Sequence, residues 1–138
     1  MNIGISTVCS PVRGGGCGKA VVALQVGTYN PRTGVSRTTK FGSNTASSWT
    51  QEVCQNGYVT GYDIGVGTTT GATRIEKFGL HCSTLDGHAS SLADVGNSNL
   101  FFPEILDCKP TNTSPIRFVG AITMNSNADG LTADCVQQ

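Results

Sequence analysis

Six cysteines, two histidines and a sparse set of carboxylates are the groups of this 138-residue chain that could do chemistry. Cys54 and Cys82 lie 28 residues apart, and Cys108 and Cys135 lie 27 apart. Similar grammar surrounds both intervals: an aromatic before the first Cys, a β-rich run, a Gly/Ser/Thr/Asn turn, and a short strand ending on the second Cys. The repeat selects the pairs Cys54–Cys82 and Cys108–Cys135 and leaves Cys9–Cys17 by elimination. Six cysteines allow many other connectivities, and free buried thiols or zinc remain the alternatives. Zinc favours close-set ligand pairs such as C-x2-C, whereas the nearest pair here, Cys9 and Cys17, is eight positions apart. Disulfides in a small chain point to an oxidising, extracellular compartment.

The remaining groups assemble poorly into a catalyst. His81 alternates with Leu80 and Cys82, so it is expected to point away from their face in a structural role. His88 follows Asp86-Gly87 in a turn-like stretch and reads as a solvated loop residue. Asp63 and Glu76, on adjacent expected strands, are the one candidate carboxylate pair for glycoside chemistry, which needs a separation of roughly 5–9.5 Å. Solvent-facing charges on neighbouring strands are the plainer reading. No nucleophile, base and orienting group converge, and the chain is expected to be non-catalytic.

Binding chemistry has more candidates. Arg13-Gly-Gly-Gly-Cys-Gly-Lys19 ends in Gly-Lys before an apolar run, but a phosphate loop needs Ser or Thr after the Lys and a following helix. Here Ala20 and a strand follow. Asp86, Asn125, Asn127 and Asp129 are acceptors of the kind that hold sugar hydroxyls, with Tyr29, Tyr58 or Trp49 available to stack. The same residue types are also ordinary turn formers, and Trp49 is expected to be a buried core plug. Asp86, Asp94, Asp129 and Asp134 could meet calcium, yet no EF-hand spacing is present, so no metal and no cofactor is expected. Asn112-Thr-Ser is a glycosylation sequon, followed by Pro115.

Strands must position these groups. No window carries the i, i+3, i+4 apolar spacing of an amphipathic helix. Ala20–Val26, Thr38–Gly42, Tyr58–Val66, Arg74–Cys82 and Ile116–Met124 read as strands, and Asn30–Gly34 as a turn. By alternation, Tyr58, Thr60, Tyr62, Ile64 and Val66 share one face. So do Arg74, Glu76, Phe78, Leu80 and Cys82, and likewise Ile116, Phe118, Gly120, Ile122 and Met124. Three units of about 1–46, 47–97 and 98–138 form one domain, and three such β-units can close as a pseudo-threefold prism or trefoil.

Charge bounds the partners. Nine basic residues balance nine acidic ones, and without a basic cluster nucleic acid is not expected as partner. No apolar run is long enough for a membrane span. The start of the chain lacks the pattern of a secretion signal.

The middle unit carries a family likeness. Trp49, Cys54-Gln-Asn-Gly57-Tyr58, Gly61-Tyr-Asp-Ile64 and Phe78-Gly-Leu-His-Cys82 resemble the repeat of the vitelline membrane outer layer protein I family. The third unit keeps the frame in Cys108, Phe118–Met124, Ala128-Asp-Gly-Leu131 and Cys135, with Phe in place of Trp. The family's acidic pair before Thr is replaced by Thr69-Thr-Gly-Ala-Thr73 in one copy and by Asn127-Ala-Asp-Gly130 in the other. The resemblance implies an all-β, disulfide-stapled β-prism of three pseudo-threefold related Greek-key sheets. It also implies an extracellular coat or matrix protein. The low charge, which leaves self-repulsion weak, and Ser/Thr/Gly-rich strands able to pair edge to edge point to self-association into oligomers or filaments, or to assembly with other coat proteins. A carbohydrate-binding, lectin-like module is the alternative. Similarity in shape to jacalin-type lectins would then make the Gly-rich loop, with Gly15 and Gly16, a place where backbone amides reach a glycan.

Overall fold

The computed structural model describes residues 1–10, 13–14, 16–30, 32–42, 45–68, 72–97, 99–113, 116–125 and 129–137. Gly15, Asn127, Ser114 and Pro115 of the expectations above lie outside them, as does the centre of the 68–72 loop. The described residues hold eleven strands: β1 (Asn2–Cys9), β2 (Cys17–Asn30), β3 (Val35–Gly42), β4 (Ser48–Gln51), β5 (Gly57–Gly67), β6 (Arg74–Thr84), β7 (Ala89–Ser91), β8 (Val95–Gly96), β9 (Glu104–Asp107), β10 (Arg117–Met124) and β11 (Leu131–Gln137).

All pairing is antiparallel, in three sheets. The first sheet has the order β3-β2-β1-β4. The second runs β7-β6-β5-β9, with β8 also on β6. The third is the hairpin β10-β11. β7 and β8 occupy the same edge of β6, opposite residues 81–83 and 77–78, so together they act as one interrupted strand. Both larger sheets therefore place three successive strands side by side and return a fourth beside the first, which is Greek-key order.

The returning strands cross the boundaries of the sequence units. β4 follows residue 46 yet pairs with β1, and β9 follows residue 97 yet pairs with β5. Cys54 comes just after β4 and Cys108 just after β9, while their partners Cys82 and Cys135 lie in β6 and β11. Each of these disulfides thus ties the end of one sheet to the next, rather than closing a module on itself. The third bond differs: Cys9 and Cys17 face one another at the end of the β1–β2 ladder.

The expected faces are only half right, because each long hairpin contains β-bulges. A bulge adds one residue to one strand, and a one-residue slip sends every later side chain to the other face. In β5–β6 the register skips Thr60, then Glu76. Val59 consequently packs on the core together with Tyr62 and Ile64, across from Phe78, Leu80 and Ile75, while Arg74 leaves that face. The β10–β11 ladder skips Gly120, so Val119 joins Ile122 and Met124 on the core side instead of Phe118.

One core spans all three sheets. Ile3, Val21 and Leu24 come from the first, Tyr62, Ile64, Ile75, Phe78, Leu80 and Val95 from the second, and Ile122, Met124 and Leu131 from the third. Trp49 is not part of it. It sits on edge strand β4 opposite Gly4, 44% exposed, and its ring lies over Gly4 on the side of β1 away from Ile3. Strand alternation decides this: Ile3 takes the core side, so its neighbour's cross-strand partner must face out.

Candidate functional surfaces

The outer face of the second sheet brings together a polar pair the sequence left apart. After the Thr60 bulge, Gly61 is opposite His81 and Asp63 is opposite Gly79, which sets Asp63 and His81 diagonally on the side away from the core. Their side chains meet at 2.7 Å between Nε2 and Oδ2, both mostly buried. The other Asp63 oxygen, Oδ1, is buried without a hydrogen-bond partner. His81 does point away from Leu80 and Cys82. Asp63 pairs with it and not with Glu76, which is wholly buried, three positions farther along and held by the Asn97 amide at 3.4 Å.

The same face is covered beside this pair by Asp94, Leu100, Phe101 and Phe102. Lys77 donates to the Leu100 carbonyl at 2.9 Å, meets Asp94 at 3.4 Å and lies 4.1 Å from the centre of the Phe102 ring. Gly65 and Gly79 make room: a side chain at the first would meet the Phe101 carbonyl, and at the second the Asp94 carboxylate and the Phe102 ring. Close approach of backbone is a common reason for Gly within a strand.

Of the acceptors proposed for sugars, Asp86, Asn125 and Asp129 are used inside their own turns. Asp86 accepts from the Thr84 hydroxyl and faces His88 Nδ1 at 3.2 Å. The Thr84 bond first, and the His88 contact second, hold its carboxyl below the usual Asp range. Asn125 donates its amide to Asp129 Oδ1, and its carbonyl accepts from the Asp129 backbone N–H at 3.0 Å. The two turns are also distant. The Asp86 turn follows the end of β6 beside Arg117, at the start of β10. Asn125 follows the far end of that eight-residue strand, roughly 26 Å away. Gly16 is exposed at the β1–β2 turn, its carbonyl accepting from Ser10 N–H at 2.9 Å. Asn112 is exposed in the connection from β9 to β10, as a sequon requires.

Sequence reasoning missed two concavities. One, of about 260 Å³, is lined by Tyr58, Leu85, Gly87, Asp107, Lys109 and Arg117 among others. Tyr58 stands edge-on to Phe118, with centroids 6.3 Å apart, and Arg117 donates to the Lys109 carbonyl at 3.2 Å. Leu85 is 73% exposed at the rim. An aromatic, an exposed apolar residue and charges of both signs thus meet at the junction of the second and third sheets. The only hint in the sequence was Tyr58 as a stacking candidate; its neighbours come from three separate segments. The other, of about 340 Å³, lies where β2, β5, β6 and β10 meet, lined by Val26, Val59, Leu80, Val119 and Ile122 with Glu52. Burial raises the Glu52 carboxyl above its usual range, against the opposing pull of the Met1 ammonium.

Among the described residues, no cluster of three or more His, Cys, Asp or Glu could hold a metal ion, and no helix is long and apolar enough to cross a membrane. No family model, curated protein or solved structure matches the chain. The chain is thus all-β, built from three antiparallel sheets and cross-linked by three disulfides, a chemistry that belongs to an oxidising environment.

Proposed function

We propose that this chain is a non-catalytic structural component of an extracellular coat or matrix, and that it assembles with itself. The observation that carries this reading is the placement of Cys54–Cys82 and Cys108–Cys135, which lock consecutive sheets together. Such links keep a small body folded where no cell maintains it. We further propose that the three sheets stand as the faces of a prism, as the resemblance to the vitelline membrane outer layer protein I family implies. The Greek-key order of two sheets and the core shared by all three support that arrangement. A balanced charge favours dense packing, because self-repulsion is weak.

A second reading, a carbohydrate-binding module, is favoured by the Tyr58 cleft, where an aromatic ring adjoins Asp107, Lys109 and Arg117. Electron microscopy of concentrated oxidised protein, paired with a glycan array on the same sample, separates the two. Ordered assemblies without sugar support the coat reading. Selective glycan binding lost in Tyr58→Ala but kept in Asp86→Ala, with no assemblies, would replace it with the lectin reading.

A further inference from the structure

A sheet edge presents unpaired N–H and C=O groups that another strand can complete. Among the described residues the outermost strands of the three sheets are β3 and β4, β7 with β8, and β9, together with β10 and β11. Their charges differ sharply. β4, β7 and β8 have none, β10 has only Arg117 and β11 only Asp134. β3 carries Arg37 and Lys40, and β9 carries Glu104 and Asp107. All four are exposed. Two of the four already have contacts within their own chain: Asp107 meets Lys109 at 3.9 Å in a solvent-exposed contact, and Arg37 has a partner as well.

We propose that β3 of one copy pairs with β9 of the next, so that the chain grows head to tail. The inference rests on the self-assembling reading above and names its interface. The spacing supports it. In antiparallel register, Lys40 falls opposite Glu104 and Arg37 opposite Asp107, with Thr39 and Thr38 facing Ile105 and Leu106. Opposite charges directly across a ladder stabilise it, and like charges destabilise it. Each cation is three residues from the other, as is each anion, so one ion pair forms on each face of the joined sheet. Exposed Ile105 gains a neighbour.

The same charges exclude the symmetric alternatives. Two β3 strands in antiparallel register about their centre would set Arg37 against Lys40, and two β9 strands Glu104 against Asp107. Only the unlike edges fit, and a contact between different patches of identical subunits generates an open chain unless the rotation closes a ring. β-Strand addition of this kind draws affinity from the main chain and specificity from the side chains.

Charge reversal tests this. Lys40→Glu and Glu104→Lys are exposed-strand changes, and each alone places like charges in the joint. Each reversal also makes its own edge self-complementary, with Arg37 across from the new Glu at 40 in β3 or Asp107 across from the new Lys at 104 in β9, and such a two-fold joint stops at a dimer. Sedimentation velocity should therefore show growth past the dimer at least about tenfold weaker in each variant than in wild type. Mixing the two variants restores assembly, because both kinds of joint in an alternating chain are again complementary. Wild-type assembly that neither reversal weakens, or that mixing fails to restore, overturns the β3–β9 joint and leaves the coat reading standing. A wild-type protein monomeric at every concentration overturns both.

Discussion

At the scale of single residues, the turn residues Asp86 and Asn125 bond within their own turns, to Thr84 and Asp129. Asp63 and His81 are the pair most worth measuring, since both are largely buried and one carboxylate oxygen has no partner. Removing His81 leaves a desolvated carboxylate with nothing to bond, a costlier state than losing both groups. A double-mutant cycle with Asp63→Asn and His81→Gln, read by urea unfolding, should give a coupling of about 1 kcal/mol. Additivity within error would mean that the contact is incidental. Asp86 offers a second test. Its folded carboxyl titrates below the usual Asp range, so its turn contribution is present above the unfolded value and lost as pH falls through the folded one. NMR titration of the Gly87 and His88 amides should place their carboxyl-linked midpoint below that of an ordinary Asp, and Asp86→Asn should abolish it. A midpoint at the ordinary value would contradict the Thr84 bond as its cause.

At the scale of elements, β2, β3, β5, β6 and β10, the short strand ending on Cys135 and the cysteine pairs were legible in the sequence, whereas β1, β4, β7, β8 and β9 were not, and the faces were legible only in part. Alternation finds β2, β5, β6 and β10 because apolar residues recur along them. It then fails at Thr60, Glu76 and Gly120, because a bulge leaves no mark in hydrophobicity. Trp49 was misplaced for a related reason: its packing partner, Gly4, is 45 residues upstream on β1, out of reach of any local pattern. The cysteine interval was informative even though its two copies are built differently. Cys54 precedes the residue facing Cys82, Val59, by a short lead, while Cys108 precedes Val119 by a longer one and a shorter hairpin compensates. The Tyr58 cleft was illegible, since its walls come from parts of the chain that only the fold brings together. These links also rank the disulfides. Loop entropy assigns ~3.6 kcal/mol to Cys54–Cys82 and ~2.5 kcal/mol to Cys9–Cys17. Paired Cys→Ala variants should therefore lower the denaturation midpoint more for the first than for the second. The reverse order would mean that the sheet-to-sheet bond does not hold the sheets together.

At the scale of the whole molecule, three sheets share one core and two of the three disulfides run between sheets. Such a body offers a partner its sheet edges, its faces and the clefts between its sheets. The basic edge β3 and the acidic edge β9 would give the proposed assembly a direction, while β7 (Ala-Ser-Ser) and β11, whose one charge is Asp134, have less to specify a partner. Salt should weaken a joint made of exposed ion pairs, because screening within roughly 8–10 Å at moderate ionic strength removes much of their attraction. The measurement that bears most directly on the central claim is sedimentation equilibrium of the oxidised protein over a wide concentration range, without added glycan. Self-assembly predicts a weight-average mass that rises steadily past the dimer of the 14.3 kDa chain. A mass fixed at the monomer throughout would contradict it.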